Sequence, residues 1–235
     1  KYAAIIAIIL SSSFGLYTWM NNPESQMVAV TVRAGSKAEM ALPDGTFVHL
    51  NAATNLEYDV NNSKQRLVKL SGEAFFDVAK NPDCPFKVII NDLQIEVVGT
   101  SFNVKTYKKD IVETSLLSGR IRISGGSLPH EYTLSPGQKA TYSAMDRTLR
   151  ISKADAHVEA GWRDNYLIFE STPLIDVIAQ IERWYGVEIR LHHKQIAQDL
   201  LSGSFRNESI QNVIRSLSIQ YGFKYEIHKD IITIY

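Results

Sequence analysis

Glu73 and Asp77, in the run Gly72-Glu73-Ala74-Phe75-Phe76-Asp77, are the nearest approach in this chain to carboxylates that could share acid–base work. Their positions have the same parity, so on a strand they would share a face. Four residues at about 3.3 Å each set them roughly 13 Å apart, beyond the ~5–10 Å that glycosidase pairs need. That spacing reads as a solvated strand face rather than a catalytic pair. His192 and His193 are adjacent on an expected strand and point to opposite faces, which prevents joint metal ligation without distant partners. Cys84 is the only cysteine, so an internal disulfide framework and a CxxC metal or redox site are excluded. Its surroundings, Asn81-Pro82-Asp83-Cys84-Pro85, predict a turn. No HExxH, GxSxG, phosphate-binding glycine loop or EF-hand loop occurs, and the residues imply no cofactor and no metal.

Lys plus Arg and Asp plus Glu number 25 each, which leaves no net field to recruit nucleic acid. Stability must come from apolar burial, and the pattern of that burial changes along the chain. From Val28 to about Ile151 the apolar period is two, with turn signals every eight to twelve residues, so many short antiparallel strands and no helix are expected. Thr46, Val48 and Leu50 alternate with Phe47 and His49, and Phe102, Val104 and Thr106 alternate with Asn103 and Lys105. Pro43-Asp44-Gly45 predicts a hairpin between Lys37–Leu42 and Thr46–Leu50, since Pro presets φ and Gly tolerates a positive one. The mixed segment Asp146–Asn165 reads as an interdomain connection with one strand at Leu149–Ile151.

Beyond it the period becomes 3.6. Thr172 is the expected N-cap with Pro173 at N1; Leu174, Val177, Ile178, Ile181 and Tyr185 mark one helical face, and Gly186 closes the helix. Strands are expected at Tyr166–Phe169 and Val187–Leu191. The unit recurs at an offset of 36 residues, from 169 to 205: Phe169 matches Phe205, Leu174 Ile210, Val177 Val213, Ile178 Ile214, Ile181 Leu217, Tyr185 Tyr221 and Gly186 Gly222. Two copies are too few for a solenoid. They imply a compact duplicated β-α-β domain with two helices on one small sheet, ending in a hairpin, Phe223–His228 and Ile231–Tyr235.

Residues Tyr2–Met20 carry no charge. At about 1.5 Å per helical residue such a run reaches roughly 28 Å, close to the ~30 Å a membrane span must cover. Lys1 on one side and no basic residue until Arg33 on the other place the N-terminus in the cytoplasm and all that follows outside it. A cleaved signal peptide ending near Ser11-Ser12-Ser13 and a buried core helix are the alternatives. The fold class is therefore mainly β plus α+β: a transmembrane helix over 1–20, a β-rich domain over 28–151 and a duplicated β-α-β domain over 162–235.

These landmarks resemble the FecR family of anti-sigma factors, inner-membrane regulators of cell-surface signalling. The matching stretches are Leu42–Ala52 (LPDGTFVHLNA), Arg66–Val88 (RLVKLSGEAFFDVAKNPDCPFKV), Val97–Val104 (VVGTSFNV), Leu134–Tyr142 (LSPGQKATY) and Phe169–Val187 (FESTPLIDVIAQIERWYGV). The resemblance implies a periplasmic FecR domain followed by a module like the short N-terminal domain of secretins and TonB-dependent transducers.

It further implies a relay. The signalling domain of an outer-membrane TonB-dependent receptor, serving iron or nutrient uptake, engages the periplasmic part. A cytoplasmic segment, expected before Lys1, controls an extracytoplasmic-function sigma factor and hence transcription. Docking is expected on the C-terminal domain by strand addition to an open sheet edge, with Phe205, Arg206 and Glu208 as partner-binding candidates. Some members of the family break their own backbone at a Gly-Thr bond, and Gly99-Thr100 occupies the matching GTxF position. There the Thr hydroxyl would attack the preceding carbonyl. The other reading is that Gly99 turns the chain and Thr100 starts a strand. Outside this resemblance, the alternatives are a membrane-anchored glycan-binding or glycan-cleaving protein and an envelope-assembly factor.

Overall fold

A computed structural model describes residues 10–16, 26–60, 66–192 and 194–235. Of the expected transmembrane segment only 10–16 fall within it and these are helical; the rest lies outside the described residues. No described helix is long and apolar enough to cross a membrane.

Among the described residues, period-two patterning gives fourteen strands through Lys153, and they form two seven-stranded sheets. The first runs β1 (Met27–Val32), β4 (Thr54–Asp59), β5 (Arg66–Ser71), β7 (Phe86–Ile90), β8 (Leu93–Val97), β11 (Ile121–Gly125), β12 (Tyr132–Leu134). The second runs β14 (Thr148–Lys153), β13 (Gln138–Ser143), β10 (Ile111–Ser118), β9 (Ser101–Lys105), β6 (Glu73–Asp77), β3 (Phe47–Leu50), β2 (Ala38–Ala41). Inward residues of both sheets share one core, in which the Phe76 ring lies 5.2 Å from Phe102 and 5.8 Å from Phe86.

The hairpin at Pro43-Asp44-Gly45 joins β2 to β3, as its turn chemistry dictates. Asp44 accepts from the Thr46 backbone N–H at 2.9 Å and pairs with buried Arg66 at 3.2 Å. The sheets are not wholly antiparallel: β5 and β7 run parallel, because β6 between them in sequence crosses to the opposite sheet.

The expected connection over Asp146–Asn165 holds more structure than one strand. After β14 come helix α1 (Ala156–Ala160) and a 3₁₀ turn, Gly161–Asp164. Asp155 caps α1 by accepting from the His157 N–H.

The C-terminal unit contains β15 (Tyr166–Pro173), α2 (Leu174–Tyr185), β16 (Glu188–Leu191), β17 (Leu200–Arg206), α3 (Ile210–Tyr221), β18 (Tyr225–His228) and β19 (Ile231–Ile234). Both helices end where the repeat requires, on Gly186 and Gly222 in the left-handed conformation (φ +69° and +72°), which a side chain would strain. Two expectations need correction. Thr172 does not cap α2: it pairs with Leu201, and its hydroxyl bonds the Glu170 backbone, so extended structure continues through Pro173. Nor is there one sheet. The strands before each helix pair with each other, β15 with β17, while β16, β19 and β18 form a separate three-stranded sheet with β16 and β19 parallel. The buried faces of both helices and both sheets make a second core, separate from the first.

Candidate functional site

Docking by strand addition needs a strand with an unpaired side, and β17 is one. Among the described strands its ladder partner is β15 alone, in a two-stranded sheet; the Leu200 carbonyl at its start also accepts from the Tyr221 hydroxyl at 3.2 Å, and most of its residues are exposed. A side chain placed at Gly203 would meet nothing within 4 Å, so one face of the strand is uncovered at its middle. Phe205 is half-buried, edge-on to Phe169 with ring centroids 6.4 Å apart, and anchors the strand rather than facing outward. Arg206 is exposed, with its guanidinium 4.6 Å from the Tyr166 ring centre. Glu208 lies beyond the strand, where its carboxylate accepts from Asn212 at 2.8 Å and its carbonyl from the Tyr185 hydroxyl at 2.8 Å. The three candidates thus sit at one end of β17, with three different tasks.

A second site was not legible in the sequence: the junction between the sandwich and the C-terminal unit. Glu73, expected on a solvated face, is buried there. Its carboxylate accepts from Asn51 at 2.7 Å and from Asn103 at 3.0 Å, and Asn103 in turn accepts from the Trp162 indole N–H at 3.2 Å. Asp77 is exposed and accepts from the Ser101 hydroxyl at 2.8 Å, so these carboxylates serve different surroundings. The missed signal was Ala74-Phe75-Phe76: consecutive apolar residues on a strand mean that both faces are covered. Phe75 indeed packs outward into a small third cluster with Ala160 and Trp162, flanked by Leu117 and Trp184.

The remaining junction contacts are cationic. The Lys37 ammonium donates to the Trp162 carbonyl at 2.6 Å and to the Asn165 side-chain oxygen at 3.0 Å, and lies 3.6 Å over the Trp184 ring. Desolvation lowers its pKa to about 8, with Glu73 pulling weakly the other way. Arg163 stacks 3.6 Å over Phe75 and Arg183 lies 4.2 Å over Tyr107; burial lowers the pKa of both guanidiniums. Burial, reinforced by the Glu73 charge, pushes the Tyr107 phenol up. Lys108 pairs with Asp176 at 2.6 Å. Lys139 bonds Glu159 at 2.6 Å; burial alone would depress Lys139, but Glu159 outweighs it and raises its pKa. Each cation–π contact contributes ~0.5–2 kcal/mol. Backbones also touch: the Gly35 N–H donates to the Arg183 carbonyl at 2.8 Å, and a methyl on Gly186 would come within 3.1 Å of the Ala34 carbonyl. Between the units lies a cleft of about 550 Å³, walled by Glu73, Lys105, Lys139, Glu159, Tyr166 and Arg183 among others.

The other residues singled out by sequence lie apart. Gly99 sits in a bend and Thr100 immediately precedes β9. The buried Thr100 hydroxyl donates to the Arg120 carbonyl at 3.1 Å and accepts from the Arg120 N–H at 3.4 Å. A side chain on Gly99 would collide with Lys80 at 2.8 Å. Cys84 lies in the expected turn, and its carbonyl accepts from Arg66 at 2.7 Å. His192 is exposed and stacks on Tyr235, whereas His193 lies outside the described residues. Among the described residues, no three His, Cys, Asp or Glu side chains gather as a metal site.

Comparison with known proteins bears on the whole arrangement. The family described as FecR protein matches residues 28–122, and the family described as FecR, C-terminal, matches 166–234. Two crystal structures of a candidate anti-sigma factor from Parabacteroides distasonis ATCC 8503, at 1.65 and 2.50 Å resolution, are similar, each with 30% identity and a TM-score of 0.80. The similarity covers 88% of this chain and 98% of the first, and 89% and 99% for the second. No curated protein matches.

Proposed function

The chain belongs to the FecR family of anti-sigma factors, and on that premise we propose that it carries the periplasmic sensory part of a single-pass inner-membrane regulator. The signalling domain of an outer-membrane TonB-dependent receptor docks on the C-terminal unit. An extracytoplasmic-function sigma factor is controlled in turn through a cytoplasmic segment. The C-terminal unit plays the part of the short N-terminal module of secretins and transducers, in keeping with its repeated β-α units. The regulator works by binding, without a catalytic step.

The observation that carries this reading is the unpaired side of β17. A partner strand would satisfy its free backbone groups, and Arg206 at the end of the strand would select the partner by charge. The test is calorimetric titration of the chain with the signalling domain of a TonB-dependent receptor from the same organism. Binding should be lost on deletion of residues 162–235 and weakened by Arg206→Glu. Full binding by the deleted chain would sink the assignment.

Gly99-Thr100 serves the fold in this reading: the Thr100 hydroxyl already gives its proton to the Arg120 carbonyl. The purified chain should run as one band on a denaturing gel after long incubation. Two fragments that disappear in Thr100→Ala would establish self-cleavage instead.

A further inference from the structure

The docking strand and the junction meet without slack. Only Asn165 separates the 3₁₀ turn Gly161–Asp164 from β15. Asn165 is in the left-handed conformation (φ +61°), its N–H bonds back to the Gly161 and Trp162 carbonyls, and its side chain is held by Lys37. On the other side, Tyr166, the first residue of β15, is the register partner of Arg206 and carries that guanidinium on its ring. The Asn207 N–H reaches the Asn165 carbonyl at 3.4 Å, and His157 of α1 stands edge-on to Tyr166 at 4.7 Å. A displacement of the Arg206 end of β17 is therefore delivered within two or three residues to Trp162, whose indole closes the Asn103–Glu73 network of the sandwich.

The junction is also built to part. Its apolar cluster is small and shares only Trp184 with the second core, its other contacts are polar or cation–π, and a cleft lies beside it. An interface of that composition between two units with their own cores permits relative motion by default. A contact that can part, placed beside a docking strand, would convert binding at one into a change of state at the other.

We propose that the Lys37–Trp162–Trp184 contact is a latch that holds the C-terminal unit against the sandwich and is released when a partner strand pairs with β17. The inference rests on the docking reading above. Strand addition through Arg206 draws this residue and Tyr166 into the lengthened sheet, pulls Asn165 from Lys37 and unseats Trp162. Because binding linkage is reciprocal, weakening the latch must strengthen docking.

Tryptophan reports on the latch directly, since two of the three tryptophans, Trp162 and Trp184, are its components. The full chain carrying Trp19→Phe is labelled with 5-fluorotryptophan and titrated with the unlabelled signalling domain of that receptor, while fluorine NMR and calorimetry are read together. Trp184→Phe assigns the two signals. The expected result is a shift of both toward the solvent-exposed position on saturation, together with docking tightened about threefold or more in Lys37→Ala and in Arg183→Ala, neither of which lies on β17. Heat of binding with unmoved fluorine signals overturns the latch and leaves docking standing, as do unchanged or weaker affinities in both variants. Absence of binding heat overturns the docking reading and the latch with it.

Discussion

The two helices of the C-terminal unit are copies of one motif placed in different surroundings. Inward, they agree: Val177, Ile178 and Ile181 in α2 and Val213, Ile214 and Leu217 in α3 are buried in the same core. Outward, at the same 36-residue offset, they diverge. Asp176, Arg183 and Trp184 of α2 meet Lys108, Tyr107 and Lys37 of the sandwich. Their counterparts in α3 are Asn212, Ile219 and Gln220, which are exposed, Ile219 at 76%. Burial in a shared core holds the inward residues to one pattern, whereas the outward ones follow whatever each helix faces. The first copy is adapted to the sandwich, and the second leaves its outer surface to solvent.

That equivalence is broken most severely through the core. Ile181→Ala and Leu217→Ala each remove a side chain buried against the same cluster and should each cost about 2–5 kcal/mol, since the lost transfer energy and the cavity add. Urea titration of each variant gives the comparison. Separate unfolding transitions for the two helices in either variant would show that the two copies do not share one cooperative core.

The inward pattern was legible in the sequence for the reason it is shared. Leu174, Ile178 and Gly186 announce a helix and its end through spacing and a left-handed cap, both local. The Pro43-Asp44-Gly45 hairpin was legible in the same way. The junction was not. Glu73 was assigned to solvent on the parity it shares with Asp77, but its burial comes from Trp162 and α2, roughly 90 and 110 positions further along the chain, and strand parity cannot see such partners. The five residues of α1 are too few to display a helical period. Thr172 looked like a cap because its ladder partner, Leu201, is also distant in sequence. What failed was long-range information, both where the two units touch and, at Thr172, within the second.

The helix-ending glycines sharpen the comparison at a smaller scale. Alanine at either Gly186 or Gly222 must adopt a positive φ, which costs ~1–2 kcal/mol. At Gly222 a methyl meets nothing within 4 Å, whereas at Gly186 it presses on the Ala34 carbonyl and Gly35. Gly186→Ala should therefore lose more thermal stability than Gly222→Ala and should also raise hydrogen exchange at the Gly35 amide. Equal losses with Gly35 undisturbed would mean that the backbones do not press at the junction. Next in size is the outward pair. Arg183→Ala removes the stack on Tyr107 and should cost about 0.5–2 kcal/mol, while Ile219→Ala, on the exposed face, should stay within about 0.5 kcal/mol. A reversed order would mean that the second helix, not the first, carries the contact that matters.

A pH dependence is confined to the first copy, because Lys37 lies on Trp184 and the equivalent Gln220 is exposed. Desolvation at the closed junction lowers the Lys37 pKa to about 8 from 10.5 in water. Below pH 8 the ammonium is protonated whether the junction is closed or open, and the contacts it makes to Trp162, Asn165 and Trp184 are held at the full cost of its desolvation. Between about pH 8 and 10.5 the closed form releases a proton that the open form still binds, so closure gains stability as pH rises through that window. Above 10.5 both forms are neutral and the gain is complete. Hydrogen exchange of the Trp162 indole N–H, corrected for its intrinsic pH dependence, should show protection rising across this interval in the native chain and flat in Lys37→Met. A flat native profile would mean that the ammonium stays hydrated, and that the closeness of Lys37 to Trp184 carries no desolvation cost for the junction.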